Sequence, residues 1–357
     1  MRSRLNKLRL ILVEMGLGAL IISHQKNRSY ISGVSSSDGY LVISQDDAVL
    51  ALDSRYSAWA SRKTSPSTGI RVLQIQGEMQ GWLPGIISSM NISSLGFEDT
   101  GLTYAMHAEI LKIIGVLEKK VKLIATTDIV TSLRAVKDVL ELKFIAEAAA
   151  VADTAFKFMK QQIKTGMTEK EIAWLLECSL RENGSSAIPF GIIVASGTNS
   201  AFPHHAATDR PVTEGDPIIM DFGARAGGYG SDITRTLCLG GPSDKYKEIY
   251  SVVLHAQQHA IDKIESGMNG KQADAIARDV IADAGYGQYF LHALGHSTGL
   301  EVHEKPRLGQ YSEDLLVDGM VFTIEPGIYI PGWGGVRIED MVVLEGGKPR
   351  VLTHASK

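Results

Sequence analysis

The chain is poor in cysteine: Cys178 and Cys238 are the two it has in 357 residues, and they share no CxxC spacing. A disulfide framework is excluded, and both are read as small buried side chains in a reducing cytoplasm. Long apolar runs are lacking too, since no stretch approaches the roughly eighteen residues that a membrane span requires. Arg2, Arg4, Lys7 and Arg9 precede the apolar Leu10 to Val13, but Glu14 interrupts that run and no small-residue cleavage site follows. An amphipathic first helix of a cytoplasmic protein is expected there, not a signal peptide. The net charge is −4, with no basic run and no aromatic–basic stripe, which argues against nucleic acid and membrane surfaces as partners. The first 125 residues hold no Gly-rich loop of the kind that cradles phosphate.

What is present is an ordinary globular balance, 44% apolar and 21% charged, on a chain too long for one ordinary core. Two domains are expected, residues 1–125 and 138–357, joined by a linker over 126–137. In the first, a helix from Arg4 to Met15 leads to strands at Ala19–Ile22, Tyr40–Ile43 and Ala48–Leu52, with helices at Tyr56–Ser61 and Ala105–Leu117. Such alternation predicts an α/β layer domain. The second opens on a long helix, Val139 to Lys164, stopped by Gly166; Thr168 to Glu171 forms a capping box that starts the next helix. Strands are predicted at Gly191–Ala195, Pro217–Phe222, Asp232–Leu239, Met320–Glu325, Gly335–Asp340 and Met341–Leu344, and helices at Lys245–Ile264 and Lys271–Ala284. This half is α+β.

Two segments of the second half look like copies. In Glu214 to Gly223 and in Asp318 to Gly327, a Gly precedes a short apolar run, and an acid, Asp221 or Glu325, closes it six positions after that Gly. A second acid follows each, Asp232 or Glu339. A carboxylate at the end of a buried run is costly unless it is paired or bound to a cation, and four converging carboxylates call for divalent ions. The duplication predicts a pseudo-twofold fold with its chemistry on the axis. Histidines gather in the same region: His204 and His205 follow Pro203, and His292, His296 and His303 lie at spacings of four and seven.

The combined motifs resemble the pita-bread metallopeptidases, specifically the Xaa-Pro peptidases (prolidase and aminopeptidase P). The matching segments are Asn199 to Asp209, Asp221-Phe222-Gly223, Gly228 to Thr236, Gly295-His296 to Glu304, Glu325-Pro326-Gly327 and Val336 to Asp340. Asn27 to Gly33 and Asp53 to Tyr56 look like that family's N-terminal accessory domain, the creatinase/prolidase type. The resemblance implies two divalent ions per subunit (Mn, Co or Zn, with Mn favoured) held by Asp221, Asp232, His296, Glu325 and Glu339. It implies Glu325 as general base, and His204 and His303 as groups that orient substrate and stabilise the tetrahedral intermediate. His292 and Arg337 are expected beside substrate, and Arg337 with Thr234 to fix the ligands' orientation.

Arg307 resembles the arginine that binds a dipeptide's free carboxylate, for which a guanidinium fork is well shaped. The expected reaction is metal-dependent hydrolysis of the Xaa-Pro bond, preferentially in dipeptides, with an aminopeptidase P acting on longer peptides as the alternative. The expected partners are short proline-containing peptides and a second copy of the chain, toward whose site the Ser35 to Asp38 loop would reach. A methionine aminopeptidase uses the same ligands without this N-terminal domain, and a creatinase-type hydrolase does not keep all five. A non-catalytic binding protein on the same scaffold is the reading from another class.

Overall fold

The computed structural model describes residues 2–64 and 68–357, which form two compact units, one running to Arg134 and the other from Ala135 to Lys357. In the first unit, α1 (Arg2–Glu14) precedes β1 (Ala19–Ile22), α2 (Gln25–Ser32), β2 (Tyr40–Ser44), β3 (Ala48–Leu52), α3 (Ser54–Lys63) and β4 (Arg71–Gln74). Then come α4 (Leu83–Ser89), β5 (Ser94–Glu98), α5 (Tyr104–Gly115), β6 (Lys122–Thr126) and α6 (Ile129–Ala135). The six strands make one mixed sheet in the order β4-β3-β2-β1-β5-β6. Its central strands are buried on both faces, so they read as continuous apolar runs such as Ala19-Leu20-Ile21-Ile22. The segment 126–137, expected as a linker, instead holds the end of β6 and helix α6, and Val136 bridges to Met320.

The second unit is a duplication visible element by element. Its first half has α7 (Val139–Gln162), α8 (Glu169–Glu182), β7 (Ile193–Ser196), β8 (Pro217–Phe222), a β9 (Arg225–Ala226)/β10 (Tyr229–Gly230) hairpin and β11 (Ile233–Cys238). Its second half has α9 (Asp244–Lys263), α10 (Gly270–Asp283), β12 (Gly295–Ser297), β13 (Glu304–Leu308) and β14 (Val321–Ile324). It closes with β15 (Gly327–Ile330), β16 (Gly334–Arg337), β17 (Asp340–Glu345) and β18 (Lys348–Val351).

The capping boxes at the starts of α8 (Thr168 with Glu171) and α10 (Asn269 with Gln272) correspond. So do the lone bridges Thr168 to Pro211 and Asn269 to Leu315. Each helix pair covers one sheet. Ala148, Phe156, Ile172 and Leu176 pack on Ile218, Met220 and Phe222, whereas Val253, Ala260, Ala273 and Ile281 pack on Phe322, Ile324 and Val342. The acids therefore stand at matched places. β8 pairs antiparallel with β11 and β14 with β17, and Asp232 and Glu339 each immediately precede the second strand of their pair.

Candidate active site

Close backbone approach brings the carboxylates together. Gly223 follows Asp221 by two, and a Cβ there would stand 1.9 Å from the Ser231 carbonyl oxygen. Glycine is therefore what lets the chain return through the β9/β10 hairpin and deliver Asp232 beside Asp221. In the other half, a Cβ at Gly295 would stand 2.0 Å from the Thr323 carbonyl, so the same device sets His296 close to the end of β14 and Glu325. The strand expected over Gly335–Asp340 is interrupted: β16 ends at Arg337 and β17 begins at Asp340. In the break, the Glu339 amide donates to the Thr234 carbonyl at 3.1 Å, and the Glu339 side chain meets those of the first half.

Asp221, Asp232 and Glu339 each offer an oxygen, and these atoms lie within 4.8 Å of one another. His296 Nε2 lies 3.3 Å from Glu325 Oε1 and 3.7 Å from Asp232 Oδ2. Its Nδ1 faces the Ser297 carbonyl at 3.2 Å; donating there leaves Nε2 with its lone pair toward the carboxylates, the tautomer a metal ligand needs. The structure thus brings all five expected ligands into one place.

The group suits cations. Glu339 Oε2 accepts from Thr234 Oγ1 at 2.7 Å, and Asp221 Oδ2 accepts from Arg337 at 2.6 Å. The other oxygen of each, Glu339 Oε1 and Asp221 Oδ1, is buried without a hydrogen-bond partner. Burial, then repulsion from neighbouring carboxylates, raises Asp232 and Glu339 well above the usual carboxylate range. Burial likewise pushes Glu325 up to about 7. Burial lowers His296 and takes His303 down to about 4. Bare carboxylate oxygens crowded in a dry site are what a divalent ion compensates.

A cavity of about 500 Å³ opens over this group. Eleven of the residues singled out in the sequence line it: His204, His205, Asp221, Asp232, His292, His296, His303, Arg307, Glu325, Arg337 and Glu339. Thr234 sits behind, bonded to Glu339 and accepting from Arg337 Nε at 3.1 Å. Phe190, Ile192, Ile193 and Val302 supply an apolar wall. The His303 ring stands 4.1 Å from that of His296, centroid to centroid. Arg307, on β13, lines both this cavity and a second one of about 530 Å³.

Arg337 lines the cavity and at the same time stands beside the ligands. Its guanidinium donates to Asp221, Thr234, Tyr329 and the Pro203 carbonyl.

Two residues escaped the sequence reading. Tyr329 is almost fully buried; its hydroxyl accepts from Arg337 and lies 2.8 Å from His292 Nε2, while His292 Nδ1 meets the Ala293 carbonyl at 2.8 Å. A neutral His292 satisfies both contacts, and burial takes its pKa down to about 3. The other residue is Glu169, which takes up His205 at 2.9 Å and so removes that histidine from the ligand cluster.

The duplicated β-scaffold, its interior carboxylate and histidine cluster and the accessory α/β unit define a metallopeptidase with a creatinase/prolidase-type N-terminal domain and a pita-bread catalytic domain. The chain belongs to metallopeptidase family M24, whose description matches residues 143–345; the Creatinase/Prolidase N-terminal domain matches residues 4–136. It is 38% identical to an Xaa-Pro dipeptidase of Pyrococcus horikoshii, across 100% of this chain and 98% of the relative. A solved Xaa-Pro dipeptidase from Bacillus anthracis superimposes with a TM-score of 0.94 at 38% identity, covering 99% of this chain and 98% of the other. An X-Pro aminopeptidase from Thermotoga maritima gives 0.86 at 38% identity, covering 96% of each. Among the described residues no helix is long and apolar enough to cross a membrane.

Proposed function

We propose that this chain is an Xaa-Pro dipeptidase that works with two divalent metal ions, Mn being the favoured identity. The observation that carries this reading is the meeting, in one cavity, of the ligand cluster with His204, His303 and Arg307. Asp221, Asp232, His296, Glu325 and Glu339 would hold the ions, and this oxygen-rich set suits Mn, Co or Zn. When bound, the ions would polarise the scissile carbonyl and make water acidic enough to attack it near neutral pH.

The protein's own part is proton handling, orientation and exclusion of water. Glu325, buried beside His296, is the base that takes the attacking water's proton and passes it to the imide nitrogen. His204 and His303 face the cavity, where a donated hydrogen bond stabilises the oxygen as charge builds on it. A proline nitrogen in an imide carries no hydrogen, so recognition rests on the ring and on the groups either side of it. The apolar wall of Phe190, Ile192, Ile193 and Val302 fits the ring, and Arg307 fits the free carboxylate. Thr234 and Arg337 hold Glu339 and Asp221 in register.

A second reading, an aminopeptidase for longer peptides, is favoured by the space beyond Arg307 and by the likeness to the Thermotoga maritima protein. The deciding experiment compares an Xaa-Pro dipeptide with the matched Xaa-Pro-Xaa tripeptide on Mn- or Co-loaded protein. Dipeptide cleavage alone is expected. Preferential tripeptide cleavage would give the second reading, and cleavage of neither with metals bound would end both. The working assembly is read as a homodimer in a cytoplasmic setting, with the Ser35 to Asp38 loop directed to the partner's site; light scattering tests the dimer.

A further inference from the structure

Glu169 is the first residue of α8, and its side chain is wholly out of water. A carboxylate in that position is costly unless it is richly bonded. Its Oε1 accepts from the Ser196 amide at 2.7 Å, Ser196 Oγ at 2.8 Å and Asn199 Nδ2 at 3.1 Å. Its Oε2 accepts from the Thr208 amide at 3.0 Å and Thr208 Oγ1 at 2.7 Å, and it faces His205 Nε2 at 2.9 Å. One carboxylate thus fastens both ends of the segment from Ser196 to Thr208, together with two side chains from within it.

His204 lies in that segment and reaches the catalytic cavity. It stands between two held neighbours. The Pro203 carbonyl accepts from Arg337 at 3.3 Å, and the His205 ring is on Glu169. Burial alone would raise Glu169, but bonds from Thr208, His205 and the amides of Ser196 and Thr208 outweigh it and hold the carboxyl at about 2. The anion is therefore present at any working pH.

The duplication supplies a control within the molecule. The residue matching Glu169 at the start of α10 is Gly270, where a Cβ would meet the Arg307 carbonyl at 2.0 Å. The second half opens its helix by close backbone contact with no carboxylate, so the helix start does not itself demand an acid. What the first half has in addition is a loop carrying His204.

We infer that Glu169 is a positioning residue: it touches no reacting atom, and it fixes the 196–208 loop so that His204 is presented to the substrate. The inference rests on the catalytic role read for His204.

The test is a double-mutant cycle on metal-loaded protein, Glu169→Gln with His204→Ala, reading kcat and KM at equal metal content. Glutamine keeps the shape but turns an amide donor toward donors. With His204 present, Glu169→Gln is expected to lower kcat about 10- to 100-fold, the scale of a small misplacement in a catalytic group. With His204→Ala already in place, it is expected to change kcat less than about twofold. Amide exchange in residues 196–208 is expected to quicken while the body of α8 stays protected. Equal losses in both backgrounds, or unchanged exchange in the loop, would overturn the inference and leave the reading of His204 standing. Full activity in His204→Ala alone would remove that reading, and the inference with it. Should Glu169→Gln not fold, Thr208→Val removes the hydroxyl's bond to Glu169, with its weaker ones from Asn199 and the Arg210 amide, keeps the backbone bond to Glu169, and carries the same cycle with the same outcomes.

Discussion

Arg337 and Asp221 meet at 2.6 Å in a place nearly closed to water, and the same guanidinium reaches Thr234, which in turn bonds Glu339. One cation thereby steadies a carboxylate from each half of the duplication. Arg337→Ala should lower metal affinity about 10- to 100-fold, the range for groups that orient ligands. Arg337→Lys should restore little of it, since an ammonium lacks the fork that spans these acceptors. Metal titration followed by calorimetry measures both, and unchanged affinity in Arg337→Ala would refute the link.

Asp232 shows the opposite side of the same electrostatics. Burial and its neighbours Glu339 and Asp221 raise it, so without metal its charge opposes folding. Asp232→Asn should abolish hydrolysis while raising the melting temperature of chelator-treated protein above wild type near neutral pH. Adding Mn should stabilise wild type and leave the variant nearly unmoved. A variant that keeps full activity would rule out the two-ion reading.

Arg307 is the residue on which substrate length turns. Arg307→Ala should cut kcat/KM for an Xaa-Pro dipeptide about 10- to 100-fold, the scale of a charge-assisted hydrogen bond. It should cost a tripeptide, whose carboxylate lies one residue further on, much less. Equal losses on both substrates would return Arg307 to a general electrostatic role.

Acid should weaken the Glu169 anchor in a definite window. Its carboxyl is held at about 2 against an ordinary 4.5. The depression contributes about 3 kcal/mol that is present above pH 4.5 and is lost as pH falls toward 2. The groups facing it are His205, Ser196, Asn199 and Thr208, with Arg210 on the Ser196 hydroxyl. Wild type should therefore melt above Glu169→Gln at neutral pH, and the gap should close between pH 4.5 and 2. A gap constant through that window would contradict the depressed value.

The ligand set is legible in the sequence because its pattern breaks a rule twice. An acid ending a run such as Ile218-Ile219-Met220 conflicts with burial, and the matching conflict after Val321-Phe322-Thr323-Ile324 reveals the duplication. Tyr329 is not legible, because a tyrosine in Gly327–Ile330 has the pattern of any core strand. Its link to His292 and Arg337 depends on where a distant loop and strand β16 come to rest. Glu169 is hidden by its neighbours: Thr168 and Glu171 account for the capping box without it. The break at Ile338 and Glu339 is masked by residues that favour strand on both sides. It comes from the contact between the Glu339 amide and the Thr234 carbonyl, which are remote in sequence.

The two halves contribute separately to the ligand cluster, and Thr234 and Glu339, bonded across it, lie 105 positions apart in the chain. A cation held jointly by Asp221, Asp232 and Glu339, as proposed, would act on the polypeptide as a removable cross-link. It would close a long loop in the way a disulfide does, in a chain whose two cysteines are both free. Chelation would open that loop without breaking a covalent bond, so the availability of metal would govern how firmly the two halves of the catalytic domain are fastened as well as whether the enzyme turns over.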